Sequence, residues 1–299
     1  MLDFKTVYEC NRCLGCKTLH PQVSIINLAD SRPEQDTIKF EFYAILLIEE
    51  CPDNCCCGRK YYDYSNATMV FLTPGEIFQM SENNTLPNKG FLLAFHPDLL
   101  FQTSLKNHIK NYTFFSYRKE EALHLSQRET AQITCCFENI EDELQHPIDT
   151  HSSTILSRYI ELLLDYCTRY YERQFITREN KNRTILEEME SILNQYIESG
   201  ELQNGLFPTP TFCAEELGLS TAYFNDLLKF ETGNTLQEYF QLKRLKAAKK
   251  MLLKGKDSPS FIAQQLGYPN VQYFSLIFKK IMGMSPTEDR YSHNCKHSI

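Results

Sequence analysis

The stretch "AQQLGYPNVQYFSLIFKK", residues 263–280, decides the fold of the C-terminal part of the chain. It reads as a short helix, a turn around Gly267, and a second helix that ends in two lysines. Asn270 stands just before the second helix, where a side-chain oxygen can accept from the first free backbone N–H groups. The pattern predicts a helix-turn-helix unit.

A second copy of the pattern lies upstream in "AEELGLSTAYFNDLLK", residues 214–229. The Ala, Leu and Gly of the first helix and turn recur in the second copy at one constant spacing. The Phe and Lys of the second helix recur at a spacing that is one residue larger, so the turn of the second copy is one residue longer. Ser220 is the corresponding helix cap. The buried faces are predicted to hold Phe224, Leu227 and Leu228 in the first copy, and Phe274, Ile277 and Phe278 in the second.

The outward faces of the two second helices carry the chemistry of DNA recognition. The major groove admits one helix, and Asn and Gln read base edges there through paired donor and acceptor atoms. The predicted base-reading residues are Thr221, Ala222, Asn225, Asp226, Val271, Gln272 and Ser275. The predicted phosphate contacts are Lys229, Arg244, Lys279 and Lys280.

Length and composition favour two globular domains. The 299 residues are 42% hydrophobic and 23% charged, and the start "MLDFKTVYEC" lacks the pattern of a secretory signal. We therefore expect a cytoplasmic protein without a membrane segment. The net charge of −7 argues weakly against a polyanion partner. The segment from Lys229 to Lys256, however, contains eight basic residues and only two acidic ones, Glu231 and Glu238. Such a concentration of positive charge attracts phosphates.

The hydrophobic periodicity divides the chain into two parts. Short β-rich blocks between Val23 and Phe95 ("VSIINL", "KFEFYAILLI", "KYYDY", "ATMVFLTP", "FLLAF") are typical of an antiparallel barrel or sandwich. Residues 126–178 have helical periodicity, with one apolar face that invites a partner helix. That face is formed by Ile155, Tyr159, Leu162, Leu163 and Tyr166. The polar "ITRENKNR" is predicted to be a linker, and Thr184 to cap the first of about seven helices that follow.

The C-terminal residues resemble the double helix-turn-helix domain of AraC/XylS transcriptional regulators, most clearly in "RLKAAKKMLL" and "LGYPNVQYFSLIFKKIMGMSPTEDR". "HPQVSIINL", "GRKYYDY", "VFLTPGEIF", "GFLLAFHPDLL" and "RYYERQFITR" resemble the sensory half and dimer helices of Bacteroidetes-type members. The resemblance implies an α+β multidomain chain that binds promoter DNA as a homodimer, with RNA polymerase and a small-molecule effector as further partners. It also implies that the connecting helix, which bears Arg244, holds the two readers in register.

The domain boundaries expected from these patterns are as follows: a cupin-like sensory β-barrel, 1–115; a helical dimerisation segment, 116–178; a linker, 179–183; the double helix-turn-helix domain, 184–291; and a tail, 292–299.

The two readers depart from the family at one matching position. Many members place Arg where this chain has Asp226 and Leu276, and an Arg–guanine pair contributes about 1–3 kcal/mol of discrimination. Readout is therefore expected to depend on Asn225, Gln272, apolar contact with thymine methyls and DNA shape. Two roles stay open for Asp226: accepting from a cytosine amine, or turning toward Lys229 or solvent.

The alternative hypotheses start from the cysteines and from the barrel. "CNRCLGC" and "CPDNCCCGRK" contain seven thiols that suit a metal or redox sensor if they converge, and that are otherwise reduced, tolerated side chains. These are Cys10, Cys13, Cys16, Cys51, Cys55, Cys56 and Cys57. A cupin-type enzyme needs clustered histidines, whereas the β-rich region from residue 20 to residue 96 offers only His20 and His96, each followed by Pro, which we interpret as loop or packing residues. We therefore expect no cofactor, no bound metal and no enzymatic activity.

Overall fold

The computed structural model describes residues 2–30, 37–49, 57–79, 89–101, 103–255 and 257–296. The chain divides into two compact units, Met1–Glu179 and Asn180–Ile299. No helix in the described ranges combines the length and the apolar character needed to cross a membrane.

The N-terminal unit combines strands with helices. Its strands are β1 (Leu2–Phe4), β2 (Val23–Asn27), β3 (Thr37–Phe40), β4 (Tyr43–Ile48), β5 (Ala67–Leu72), β6 (Glu76–Gln79), β7 (Gly90–Phe95) and β8 (Leu123–Leu125). Its helices are α1 (Val7–Cys13), α2 (Leu105–His108), α3 (Gln127–Gln145) and α4 (Ser152–Thr177).

The strands form two sheets. The larger sheet has the order β2-β7-β4-β5-β8 and is antiparallel throughout, while the smaller has the order β1-β3-β6, with β1 parallel to β3. Strand β4 is buried on both faces: Ala44 and Leu46 join the core cluster that includes Phe40, and Ile45 and Leu47 are buried on the other face. The mixed α+β class is confirmed. Neither sheet closes on itself, so the expected barrel is not confirmed.

Four of the five predicted β blocks contain strands, and "KYYDY", residues 60–64, does not. It forms a turn, because the Asp63 carboxylate accepts from the Lys60 backbone N–H at 2.8 Å and binds Arg178. Strands β1, β6 and β8 have only three or four residues each, and so short a run has no readable alternation.

The helical prediction for residues 126–178 is confirmed by α3 and α4. Ser126 and Glu129 close a capping box at the start of α3. On α4, the side chains of Ile155 and Leu162 are exposed while Leu163 is buried in the unit, so part of the predicted apolar face packs internally and part faces solvent.

The predicted polar linker is helical. Residues 179–183 belong to α5 (Glu179–Ser199), and the predicted cap Thr184 lies inside that helix, where its hydroxyl donates to the Asn180 carbonyl. Two polar side chains of "ITRENKNR" are buried, and each has a hydrogen-bond partner inside the protein. Arg178 donates to both Asp63 oxygens at 2.8 and 2.7 Å, and Asn182 donates to Glu231 at 2.8 Å.

Within its described residues, the C-terminal unit has helices and connecting turns but no strand. After α5 come α6 (Pro210–Glu216), α7 (Thr221–Thr232), α8 (Leu236–Lys254), α9 (Pro259–Gln265), α10 (Val271–Met282) and α11 (Pro286–Lys296). The predicted capping box of Thr235 and Glu238 is present at the start of α8. Helices α7, α8 and α10 end at glycines with left-handed backbone, Gly233, Gly255 and Gly283, as glycine-capped helices commonly do.

Candidate nucleic-acid interface

Helices α6 and α7 form the first helix-turn-helix unit. The Ser220 hydroxyl caps α7 by accepting from the Tyr223 N–H at 3.1 Å, and the turn passes through Gly218 with a φ of 66°. Phe224, Leu227 and Leu228 are buried as predicted. Of the predicted DNA-contacting residues on this helix, Asn225 and Lys229 are exposed, and Thr221, Ala222 and Asp226 are partly exposed.

Helices α9 and α10 form the second unit in the same way. Asn270 Oδ1 accepts from the Tyr273 N–H at 2.7 Å, and Gly267 supplies the turn with a φ of 68°. Phe274 and Phe278 are buried, whereas Ile277 is only half-buried. The predicted contacts Gln272, Lys279 and Lys280 are exposed on α10, and Val271 and Ser275 are partly exposed.

Leu276 and Tyr273 are among the large side chains that α10 of the second reader exposes. Leu276 is 64% exposed, and Tyr273 is 47% exposed. Tyr273 was not among the predicted base readers, although it occupies the position of Tyr223 in the first copy, where the ring is only 1% exposed. The internal repeat therefore locates the position but does not predict its burial, which depends on the neighbouring helices.

The basic stretch from Lys229 to Lys256 is split between internal ion pairs and solvent. Lys243 pairs with Glu190 and Lys249 with Asp289, each at 3.5 Å. The Tyr239 hydroxyl and the charge of Lys243 lower the pKa of Glu190, which keeps its carboxylate ionised. Lys229, Lys246, Lys250 and Lys254 are exposed, and Lys256 lies outside the described residues. The solvent-facing lysines are the ones available to phosphates.

Arg244 does not fit the expected role of a surface phosphate contact. It is only 9% exposed, and its Nε and Nη2 donate to the Leu266 carbonyl. Its guanidinium carbon lies 5.0 Å from the Phe207 ring centroid and 4.1 Å from that of Tyr268. Leu266 follows α9, so Arg244 ties the connecting helix α8 to the second reader. The sequence indicated the position of Arg244 on α8 but not its burial.

The cysteines of the alternative hypothesis are spread over different environments. Cys10 and Cys57 are buried, Cys13 is exposed and Cys16 is partly exposed, while Cys51, Cys55 and Cys56 lie outside the described residues. Burial, together with the neighbouring Cys13 and Cys16, raises the pKa of the Cys10 thiol far above its usual value. Within the described ranges, no three His, Cys, Asp or Glu side chains are placed to hold a metal ion.

His20 and His96 both have local structural contacts. His20 Nδ1 accepts from the Gln22 N–H and His96 Nδ1 from the Asp98 N–H, each at 3.2 Å. These contacts stabilise turns.

Comparison with known proteins identifies the C-terminal unit. Residues 213–292 match the family model described as a helix-turn-helix domain. The uncharacterized transcriptional regulatory protein YesN of Bacillus subtilis is 40% identical over 76 residues, which are 25% of this chain and 21% of YesN. The chain thus spans about a fifth of that relative's length.

Two further proteins are similar to this chain. The HTH-type transcriptional activator RhaR of Mannheimia succiniciproducens is 23% identical over 252 residues, 84% of this chain and 86% of RhaR. A crystal structure of an AraC-type regulator from Chromobacterium violaceum is 21% identical, with a TM-score of 0.34, and covers 38% of this chain and 96% of that one. With its two capped helix-turn-helix units, the C-terminal unit carries an AraC-type helix-turn-helix domain, and the chain is similar to transcription regulators that contain this domain.

Proposed function

We propose that the chain regulates transcription by inserting α7 and α10 into two successive major grooves of promoter DNA, roughly 34 Å apart along the duplex. The observation that carries the proposal is that both helices are capped and packed by matching residues while Asn225 and Gln272 face solvent. In this proposal the chain works by binding DNA in the cytoplasm and not by catalysis.

The base-reading roles follow from side-chain chemistry and exposure. The side-chain amides of Asn225 and Gln272 suit bidentate contact with adenine. The apolar side chain of Leu276 on α10 suits contact with the methyl group of thymine. Thr221, Ala222, Val271 and Ser275 complete the surfaces that face the bases. Asp226 has interactions within the protein. We also propose that its carboxylate accepts a hydrogen bond from a cytosine amine.

The phosphate-contacting roles belong to exposed lysines. Lys229 follows Asn225 by one turn on α7, and Lys279 and Lys280 end α10. Such contacts release counterions and make binding depend on salt. In this proposal Arg244 holds the second reader against α8, because its Nε and Nη2 already donate to the Leu266 carbonyl.

The N-terminal unit is proposed to sense an effector and to form the homodimer. Support for dimerisation comes from α4, where Ile155 and Leu162 are 37% and 45% exposed at a seven-residue spacing, the repeat of a coiled-coil seam. The cupin-like character of the sheets, the small-molecule effector and contact with RNA polymerase are carried over from the family resemblance.

The test is selection of bound duplexes from a random DNA pool, followed by binding titrations at two salt concentrations. We expect Asn225→Ala and Gln272→Ala each to relax preference at one position of a half-site, by about 1–3 kcal/mol. Lys229→Ala should weaken binding to all sequences and reduce the salt slope by about 1. Lys60→Ala, an exposed lysine of the N-terminal unit, is the control and should leave both quantities unchanged.

Three results would contradict the proposal. These are the absence of any enriched sequence, an unaltered preference in both amide variants, and a salt slope in Lys229→Ala equal to that of the unmodified protein.

A further inference from the structure

A cavity of about 310 Å³ opens in the N-terminal unit beside strand β5. Four consecutive residues of that strand line it, Met69, Val70, Phe71 and Leu72. Val70 and Leu72 belong to the core cluster on one face of the sheet, so the side chains of Met69 and Phe71 point to the other face. A cavity that meets all four residues therefore runs along the edge of the strand, where the backbone N–H and C=O groups lie.

The edge of β5 is open at this point because its neighbour β8 ends early. Strand β8 pairs with β5 only as far as Met69. If the pairing continued, the residue opposite Phe71 would be Glu121, but the backbone of Glu121 is engaged elsewhere. Its N–H donates to the Arg118 carbonyl at 2.8 Å, and its carbonyl accepts from the Tyr171 hydroxyl at 3.3 Å.

The backbone of Phe71 points toward this open edge. In an antiparallel sheet, each residue directs its N–H and C=O to the same neighbouring strand, and successive residues alternate between the two neighbours. The backbone of His124 on β8 bonds to α4 instead of β5: its N–H donates to Gln174 Oε1 at 2.8 Å, and its carbonyl accepts from Arg173 Nη2 at 2.7 Å. Its register partner Thr68 therefore bonds to β4, and Phe71, three residues further on, faces the side of β8.

The hydrogen bonds of β4 give the same alternation independently. Just after β4, the Glu49 N–H donates to the Lys89 carbonyl at 3.1 Å, so odd-numbered residues bond to β7 and even-numbered ones to β5. Leu46 accordingly bonds to Val70, its register partner. Within the described residues, the N–H and C=O of Phe71 have no partner, although Phe71 is only 4% exposed. Buried backbone groups nearly always have a partner, so this pair calls for a physical reason.

A ligand that satisfies Phe71 must offer one carbonyl and one N–H at the spacing of a peptide residue. These are the groups that a residue of an added antiparallel strand supplies. The open edge is short, because β8 closes it at Leu123 and β5 itself ends at Leu72. The cavity volume also lies near the lower limit of about 300–1,000 Å³ for ligand pockets. Both limits favour a small peptide over a strand of a folded partner.

The rest of the lining fits an apolar side chain between charged ends. The rings of Phe114 and Tyr171 both line the cavity and stack with their centroids 5.3 Å apart. A free peptide carries an ammonium group and a carboxylate, and the lining has charges of both signs to meet them. The charged lining residues are Glu76, Arg118, Lys119 and Glu120.

We propose that this cavity binds a free peptide, of the size of a dipeptide or tripeptide, as a short strand added to β5, and that the peptide is the effector of the N-terminal unit. The Phe71 N–H donates to a peptide carbonyl, and the Phe71 carbonyl accepts from the N–H of the same peptide residue. The effector role rests on the proposed function, which assigns sensing to this unit, whereas the binding site rests on the geometry of β5 alone.

The first measurement screens the full chain by isothermal titration calorimetry with tripeptides Ala-X-Ala, in which X is each apolar or aromatic amino acid in turn. At least one tripeptide should bind. Its depsipeptide analogue, in which an ester oxygen replaces the N–H of X, should bind about three- to tenfold more weakly, the size of one net hydrogen bond. Absence of binding by every tripeptide, or equal affinity of peptide and depsipeptide, would overturn the proposal.

The second measurement locates the bound tripeptide with two variants at exposed isoleucines. Ile77 lines the cavity and is 53% exposed, whereas Ile148 lies outside it and is 57% exposed. Ile77→Trp should fill part of the cavity and weaken binding by about tenfold or more. Ile148→Trp should bind the tripeptide like the unmodified protein. Equal affinities of the two variants would place the peptide elsewhere and contradict the proposal.

The third measurement follows the backbone contact by hydrogen exchange. The Phe71 amide should exchange about tenfold more slowly or less in the saturated complex, because it gains an acceptor. The Val70 amide, which already bonds to β4, is the internal control and should exchange at the same rate with and without peptide. An unchanged rate at Phe71 would exclude strand addition at this edge.

The outcomes also separate this inference from the proposed function. A bound tripeptide that changes the affinity for the selected duplex supports both the site and its effector role. A tripeptide that protects Phe71 and leaves DNA affinity unchanged supports the site and overturns the effector role. A chain that binds the tripeptide but selects no duplex overturns the proposed function and leaves the peptide site in place.

Discussion

Among single residues, His124 shows how burial, together with the surrounding charges, sets a pH dependence. His124 is the central residue of β8 and its ring is fully buried. Nδ1 lies 3.1 Å from the Thr68 hydroxyl, and Nε2 has no hydrogen-bond partner in the described structure. Burial lowers the pKa of His124 to about 4. The nearby Asp63 carboxylate opposes this shift, and the positive charges of Arg178, Arg59 and Arg173 add to it. The folded N-terminal unit therefore holds a neutral imidazole.

The sign of the effect on stability follows from this lowered pKa. The unfolded chain binds a proton near the ordinary value of 6.5, so the contribution is complete above that pH and is lost as the pH falls toward about 4. The free energy of unfolding should drop by at most about 1.4 kcal/mol per pH unit in this window. Urea unfolding at a series of pH values measures it. His124→Asn should flatten the slope, whereas His146→Asn, at an exposed position, should not; equal slopes in all three proteins would contradict the assignment.

At the scale of the element, the two reader turns are alike in backbone conformation and unlike in surroundings. Gly218 and Gly267 have φ values of 66° and 68°. A Cβ on Gly218 meets nothing within 4 Å, whereas one on Gly267 would lie 2.4 Å from the Leu202 carbonyl oxygen. Glycine is therefore required in the first turn by conformation alone, and in the second by conformation and by close packing.

This pair of glycines gives a matched prediction. Gly218→Ala should destabilise its reader by about 1–2 kcal/mol, because L residues are strained in left-handed backbone. Gly267→Ala should destabilise the second reader by a further amount of about 1–3 kcal/mol, because Leu202 must move. Hydrogen exchange of the α6–α7 and α9–α10 segments measures each local stability. Equal losses at the two turns would show that the approach of Leu202 carries no strain.

For the whole molecule, the proposed dimer places the exposed face of α4 at its interface. We predict that Leu162→Lys converts the proposed dimer to a monomer, because a lysine charge at the centre of an apolar seam loses its water on association. Sedimentation velocity across a concentration series measures the change. Glu172→Lys, an exposed position of α4 outside the apolar stripe, is the control and should sediment like the unmodified protein. A Leu162→Lys protein that still dimerises would exclude this face as the interface.

Across the whole molecule, the sequence predicts correctly those features that are set by residues close together in the chain. The caps at Ser220, Thr235 and Asn270 are formed by residues three apart, and the α+β division follows from periodicities within single segments. Sheet closure depends instead on register between strands far apart in the chain, which no short pattern encodes. The exposure of Tyr273 and the burial of Arg244 are likewise decided by residues from other helices.

The close approach of Leu202 to Gly267 has a consequence for how the DNA-reading region can be divided. Leu202 is buried in a short turn of 3-10 helix, residues 201–204, and Gln203 Nε2 donates to Gln265 Oε1 at 2.6 Å. The wall behind the second reader thus comes from chain that precedes the first. A truncated protein that starts at residue 213, where the family match begins, would keep every recognition residue and lose that wall, so chimaeras between family members should be joined upstream of residue 200.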